Sequence, residues 1–129
     1  GTSRRTCSVS RDWTLYLADV ADACRLIEQF TAGMSGESFA ASALVFHATV
    51  RNLEIVGEAA KRLPDEAKAR MPEVDWAGAA RFRDIVAHRY FALDPAVVWS
   101  IVQTKIPALS RAARRVLSES GDGSAGDGI

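Results

Sequence analysis

The chain has 129 residues, 48% hydrophobic and 25% charged, a size for one domain with a balance near the globular average. Its sixteen Lys and Arg residues match its sixteen Asp and Glu residues, so the formal net charge is zero. This excludes a wholly disordered or collagen-like chain, and it argues against a protein that coats long duplex nucleic acid.

Abundant alanine, four prolines and 8% aromatic residues lean the composition toward helix. Residues 1–11 lack periodicity and are expected to form a flexible tail. The helical pattern begins at Asp12, an N-cap candidate, and Trp13, Leu17, Val20, Cys24, Ile27 and Phe30 then recur at three and four. Gly33 and Gly36 should end this first helix. A second long helix is expected from about Ser38 to Leu63, paired with the first as an antiparallel hairpin. Gly57 lies on its apolar stripe, where a glycine usually serves close helix approach. Pro64 should limit it, and Pro64-Asp65-Glu66 should start a short helix ending near Met71-Pro72.

Asp75 is an N-cap candidate for WAGAARFRDIVAHRY, and Asp94-Pro95 supplies cap and N1 proline for the helix after it. Pro107 lies inside that last helix and should kink it by removing the bond to the Gln103 carbonyl. The Gly-, Ser- and Asp-rich residues 118–129 read as a second flexible tail. The expected fold is thus all-α: a four- to five-helix up-and-down bundle over residues 12–117. No apolar run approaches the ~20 residues that cross a bilayer, and no charged leader precedes a hydrophobic stretch. Cys7 and Cys24 form no CxxC pair and no zinc spacing, usage that a reducing compartment allows. A cytoplasmic protein with no membrane partner is therefore expected.

The zero net charge hides an uneven distribution. Residues 12–75 hold eleven acids against six bases, whereas residues 76–117 hold seven bases against Asp84 and Asp94. That basic block is either a solvated helix face or part of a local positive cleft for a phosphate.

Few positions can carry chemistry. There is no HExxH, no His/Cys/Asp cluster and no phosphate-cradling glycine loop, so neither a metal nor a cofactor is expected. His is the side chain best suited to moving protons near neutral pH, and the chain has two. His47 reads as a boundary histidine beside Phe46. Arg51, Glu54 and Glu58 follow it as a polar stripe, expected to pair along or between helices, though it could line a cleft. His88 sits in RFRDIVAHRY with Arg83, Asp84 and Tyr90. On a straight helix, Arg83 and His88 point about 140° apart. Spacing alone leaves two readings: an exposed arginine with a satisfied histidine, or a phosphate site. The second needs the helix to end between Ala87 and Arg89, or a second copy of the chain to complete it.

RDIVAHRY resembles the Arg, four residues, His, one residue, Tyr motif of HepT-like proteins in the HEPN superfamily. The resemblance extends through VRNLEIVGEAAKRLP and through VDWAGAARFRDIVAHRYFALDPAVVWSIVQTKIPAL, and covers roughly residues 12–116. It implies a helical bundle that dimerises; the sequence does not fix the interface, for which the exposed apolar faces of the two long helices are the natural guess. It also implies a metal-independent endoribonuclease, the toxin of a toxin–antitoxin pair whose antitoxin is a minimal nucleotidyltransferase. Carried over, Arg83 and His88 are the catalytic pair, Asp84 supports them, and Tyr90 is the residue that the antitoxin modifies with AMP. The alternative is a non-catalytic helical module that binds a nucleotidyltransferase partner or nucleic acid.

Overall fold

Apolar stripes punctuated by capping serines, aspartates and prolines fold into α-helices joined by short turns, with no strand among the described residues. The structure is a computed structural model in which side chains are described for residues 13–119. The flexible tails expected at 1–11 and 118–129 fall outside the described residues, apart from Ser118 and Glu119.

Helix α1 (Thr2–Thr31) buries Trp13, Leu17, Val20, Cys24 and Ile27 of the stripe that the sequence predicts, while Phe30, its last member, is half-buried. Each large aliphatic side chain withdrawn from water in this way contributes ~1.5–3 kcal/mol. Gly33, at φ +77°, turns the chain out of the helix in the left-handed region that glycine tolerates.

The single long second helix expected from Ser38 to Leu63 is two helices. α2 (Gly36–Ala41) and α3 (Ala43–Arg62) meet at Ser42, whose backbone is extended (φ −106°, ψ 98°). The Ser42 N–H closes α2 on the Phe39 carbonyl, while its hydroxyl accepts from Val45 N at 3.2 Å and starts α3. The break lets the fully buried Phe39 pack on Trp99, with ring centroids 5.2 Å apart.

The short α4 (Asp65–Ala69) follows Pro64 as expected and tucks Ala67 into the core, with Met71 buried just beyond it. Asp75 caps α5 (Trp76–Arg89), accepting from Gly78 N at 2.9 Å. A 3-10 turn (Tyr90–Ala92) leads to α6 (Pro95–Thr104), capped by Asp94 through Ala96 N at 2.9 Å.

The helix is interrupted just before Pro107, where a proline kink is expected: α6 ends at Thr104 and α7 (Ile106–Gly128) begins after Lys105. Lys105 keeps a helical backbone (φ −106°, ψ −39°), and Lys105 N and Leu109 N still bond the carbonyls of Ile101 and Lys105. Across the bundle, α7 packs on α1, α1 on α3 and α3 on α5, while α6 touches α7 and α2. The α3–α5 contact is close because of Gly57: a β-carbon there would collide with Arg83 Cβ and stand 2.8 Å from the Ala79 carbonyl oxygen. No helix among the described residues is long and apolar enough to cross a membrane.

Candidate active site at the α3–α5 seam

Helix α5 carries Arg83, Asp84 and His88, and Tyr90 opens the turn that follows. α5 stays helical through His88 and leaves helical geometry at Arg89 (φ −138°, ψ 38°). The five-residue spacing therefore keeps Arg83 and His88 about 140° apart around the helix. Arg83 faces α3, one third exposed, and its Nε donates to Glu58 Oε2 at 3.1 Å. His88 is exposed at the end of α5. Within one chain the two side chains thus stand on different sides of the helix.

Asp84 is exposed, and Lys61 of α3 donates to its carboxylate. That bond, aided by the charges of Lys61, Arg83 and His88, holds the carboxyl below its usual range. Asp84 therefore adds negative charge near both candidate catalytic groups, while its hydrogen bond goes to Lys61.

The polar stripe on α3 pairs both along and between helices, and it also lines a groove. Glu58 accepts from Arg62 Nε at 3.1 Å one turn away and from Arg83 across the seam. These cations, with the Arg62 hydrogen bond foremost, hold the Glu58 carboxyl below its usual range. Arg51, Glu54, Glu58, Arg62 and Arg83, with Tyr16 and Asp19 of α1, surround an open groove of about 220 Å³. It presents three guanidinium groups, and Arg83 is among them.

Tyr90 is half-buried, and its hydroxyl lies 2.6 Å from His47 Nδ1, with the two rings within 9° of parallel. Burial, with the Glu54 charge second, pushes its phenol above the ordinary value. His47 is in turn met edge-on by Phe46 at 5.3 Å, and Phe46 leans on Phe39 at 6.0 Å. Phe91, beside Tyr90, is 99% exposed. The contact of His47 with Tyr90 was not foreseen: the residues are 43 apart in sequence, and His47 carries no motif of its own. Among the described residues no group of three or more His, Cys, Asp or Glu side chains is placed to hold a metal ion.

Among the described residues the chain is a strand-free, all-α bundle. More particularly, residues 20–116 match the family described as "Ribonuclease HepT-like", and the chain belongs to that family. It is 43% identical over 94 residues to a Thermococcus cleftensis protein named "Probable ribonuclease HepT", covering 73% of this chain and 86% of that one. It is 35% identical over 97 residues to the Methanocaldococcus jannaschii protein "Putative RNase MJ0127", covering 75% and 80% of the two chains. A second protein of that organism, "Gamma-glutamylcyclotransferase and putative RNase MJ0434", is 31% identical over 109 residues; these cover 84% of this chain and 49% of the relative, about half its length. No solved structure matches the chain.

Proposed function

We propose that this chain is a metal-independent endoribonuclease, the toxin of a toxin–antitoxin pair, in which Arg83 and His88 act on one RNA phosphate. The observation that carries the reading is the family match over residues 20–116, the range in which Arg83, His88 and Tyr90 fall. The 2′-hydroxyl attacks the neighbouring phosphorus, and His88 takes that proton or gives one to the leaving 5′-oxygen. The Arg83 guanidinium stabilises the charge that builds on the phosphoryl oxygens. The products are a 2′,3′-cyclic phosphate and a 5′-hydroxyl.

A homodimer meets two demands at once. It brings the Arg83 of one copy toward the His88 of the other, and it supplies an acid and a base from one histidine per chain. Tyr90 is the regulatory position. A minimal nucleotidyltransferase antitoxin adds AMP to it, placing bulk and negative charge beside the cleft where RNA binds. The protein acts in the cytoplasm.

A second reading, a non-catalytic module that binds a nucleotidyltransferase or nucleic acid, is favoured by one observation: Arg83 is engaged by Glu58. An RNA degradation assay in EDTA decides between them. Cleavage that persists in EDTA and disappears in His88→Ala and Arg83→Ala is the expected result; an inert wild-type protein that still binds its partner tightly supports the module. Mass spectrometry after co-expression with a nucleotidyltransferase tests the regulation, since the added mass should vanish in Tyr90→Phe.

A further inference from the structure

We propose that His47 is the proton acceptor that makes the Tyr90 hydroxyl a nucleophile toward the α-phosphorus of a nucleoside triphosphate. This rests on the reading of Tyr90 as a modification site and adds the group, within this chain, that activates it.

A phenol with an ordinary pKa near 10 is ionised in only about one molecule in a thousand at neutral pH. Burial and the Glu54 charge make Tyr90 harder still to ionise. An oxygen in that state attacks phosphorus only when a base takes its proton as the new bond forms. His47 Nδ1 stands 2.6 Å from it, within the reach that a general base requires. With the neutral imidazole carrying its hydrogen on Nε2, the Nδ1 lone pair accepts from the hydroxyl.

The imidazole is also held in place. Phe46 meets it edge-on with ring centroids 5.3 Å apart, and the Tyr90 ring lies nearly parallel to it at 5.6 Å. Phe46 rests on the fully buried Phe39, so this arrangement is anchored in the core. His47 itself is exposed, which gives an accepted proton a path to water. His88 precedes the backbone turn at Arg89, on a different element from His47.

The step balances without any change of oxidation state. Nδ1 takes the hydroxyl proton, and the phenolic oxygen forms a bond to the α-phosphorus. The bond from that phosphorus to the bridging oxygen of pyrophosphate breaks, pyrophosphate leaves with the electron pair, and the imidazolium returns its proton to water. The triphosphate arrives on a separate enzyme of the nucleotidyltransferase class.

The chain carries its own control, because Tyr16 is its other tyrosine. A benzenesulfonyl fluoride, which captures tyrosines assisted by a base, is applied to the full chain, and labelling of each tyrosine is followed by peptide mass spectrometry. Tyr90 should react faster than Tyr16. His47→Ala and His47→Gln should both slow Tyr90 by about a hundredfold while leaving Tyr16 unchanged, and free imidazole should restore the rate in His47→Ala. Equal Tyr90 labelling in wild type and variants overturns the proposal. So does a wild-type rate in His47→Gln, which keeps a hydrogen bond but no base, or a slowing that imidazole does not relieve. Should Tyr16 labelling rise in His47→Ala, showing a loosened bundle, His47→Gln is the variant that decides. No nucleotidyltransferase takes part in this test. Its failure is therefore distinct from that of the modification reading, which falls if co-expression adds no AMP mass at Tyr90.

Discussion

Arg83 reaches across the α3–α5 seam and donates from Nε to Glu58, leaving the two terminal nitrogens of the guanidinium outside that bond. A guanidinium offers five N–H donors in a rigid fork, so one anchored edge still leaves a face for a phosphate. Under the proposed mechanism Glu58 is a positioning residue for Arg83. Glu58→Ala should lower the rate of RNA cleavage about ten- to a hundredfold by loosening the fork. Glu58→Gln, whose amide oxygen still accepts, should lose less. Kinetics of both variants on one RNA substrate check the order, and a Glu58→Ala protein as active as wild type removes Glu58 from the machinery.

His88 is exposed, so its removal should separate chemistry from folding. His88→Ala is expected to reduce cleavage by about 10²–10⁴ while changing stability by no more than about 0.5 kcal/mol. Chemical denaturation beside the activity assay shows both effects.

Gly57 is where the seam is tightest. In Gly57→Ala, the added methyl would gain about 1 kcal/mol in helix propensity. It would also press on Arg83 Cβ and the Ala79 carbonyl, overpacking that costs about 1–3 kcal/mol. The net expectation is a destabilised protein with a displaced Arg83, seen as a lower denaturation midpoint together with weaker RNA cleavage. A midpoint above wild type would mean that α3 and α5 can part at no cost.

Acid should loosen the same seam, and with it the pair that ties Glu73 to Arg115 of α7. The carboxyls of Glu58, Asp84 and Glu73 are held below their usual range, foremost by hydrogen bonds from Arg62, Lys61 and Arg115 respectively. A depressed folded-state pKa stabilises above the unfolded pKa, and that stability is lost as pH falls through the folded one. Melting temperature should therefore hold from neutrality down to about pH 5 and fall below about pH 4. The pairs are exposed, so high salt should flatten the response. Melts across this range at two ionic strengths are the check; a melting temperature that rises with acid contradicts it.

Cys24 reports on the core. Burial foremost, with Glu28 adding to it and Arg114 opposing, pushes its thiol up to about 12. The thiolate is the reactive form, so alkylation of Cys24 by iodoacetamide at neutral pH should track global unfolding. Peptide mapping along a denaturant series measures it, and modification of Cys24 in the fully native protein would run against the burial.

Much of the fold was legible because helix signals are local. The stripe from Trp13 to Ile27, the Asp75 cap and Asp94-Pro95 each act within a few residues of themselves, and each does what its spacing predicts. The break at Ser42 was hidden because the apolar beat runs straight through it, and only the structure shows Ser42 closing one helix and capping the next while Phe39 docks on Trp99. At the site, Arg83, Asp84, His88 and Tyr90 stood out through a motif confined to one helix end. Their specific partners did not, although Glu58 already read as part of a stripe that pairs along or between helices. Glu58 lies 25 residues from Arg83 and His47 lies 43 from Tyr90, pairings that exist only once α3 has packed on α5.

The rings from Tyr90 through His47, Phe46 and Phe39 to Trp99 touch in sequence, and the Trp99 indole also lies so near Gly36 that a β-carbon there would stand 3.1 Å from it. A bulky adduct on the tyrosine pushes on one end of this column, and a fluorophore sits at the other. With Trp13 and Trp76 replaced, emission from the one remaining indole, four rings along from Tyr90, should therefore report a change imposed on that tyrosine.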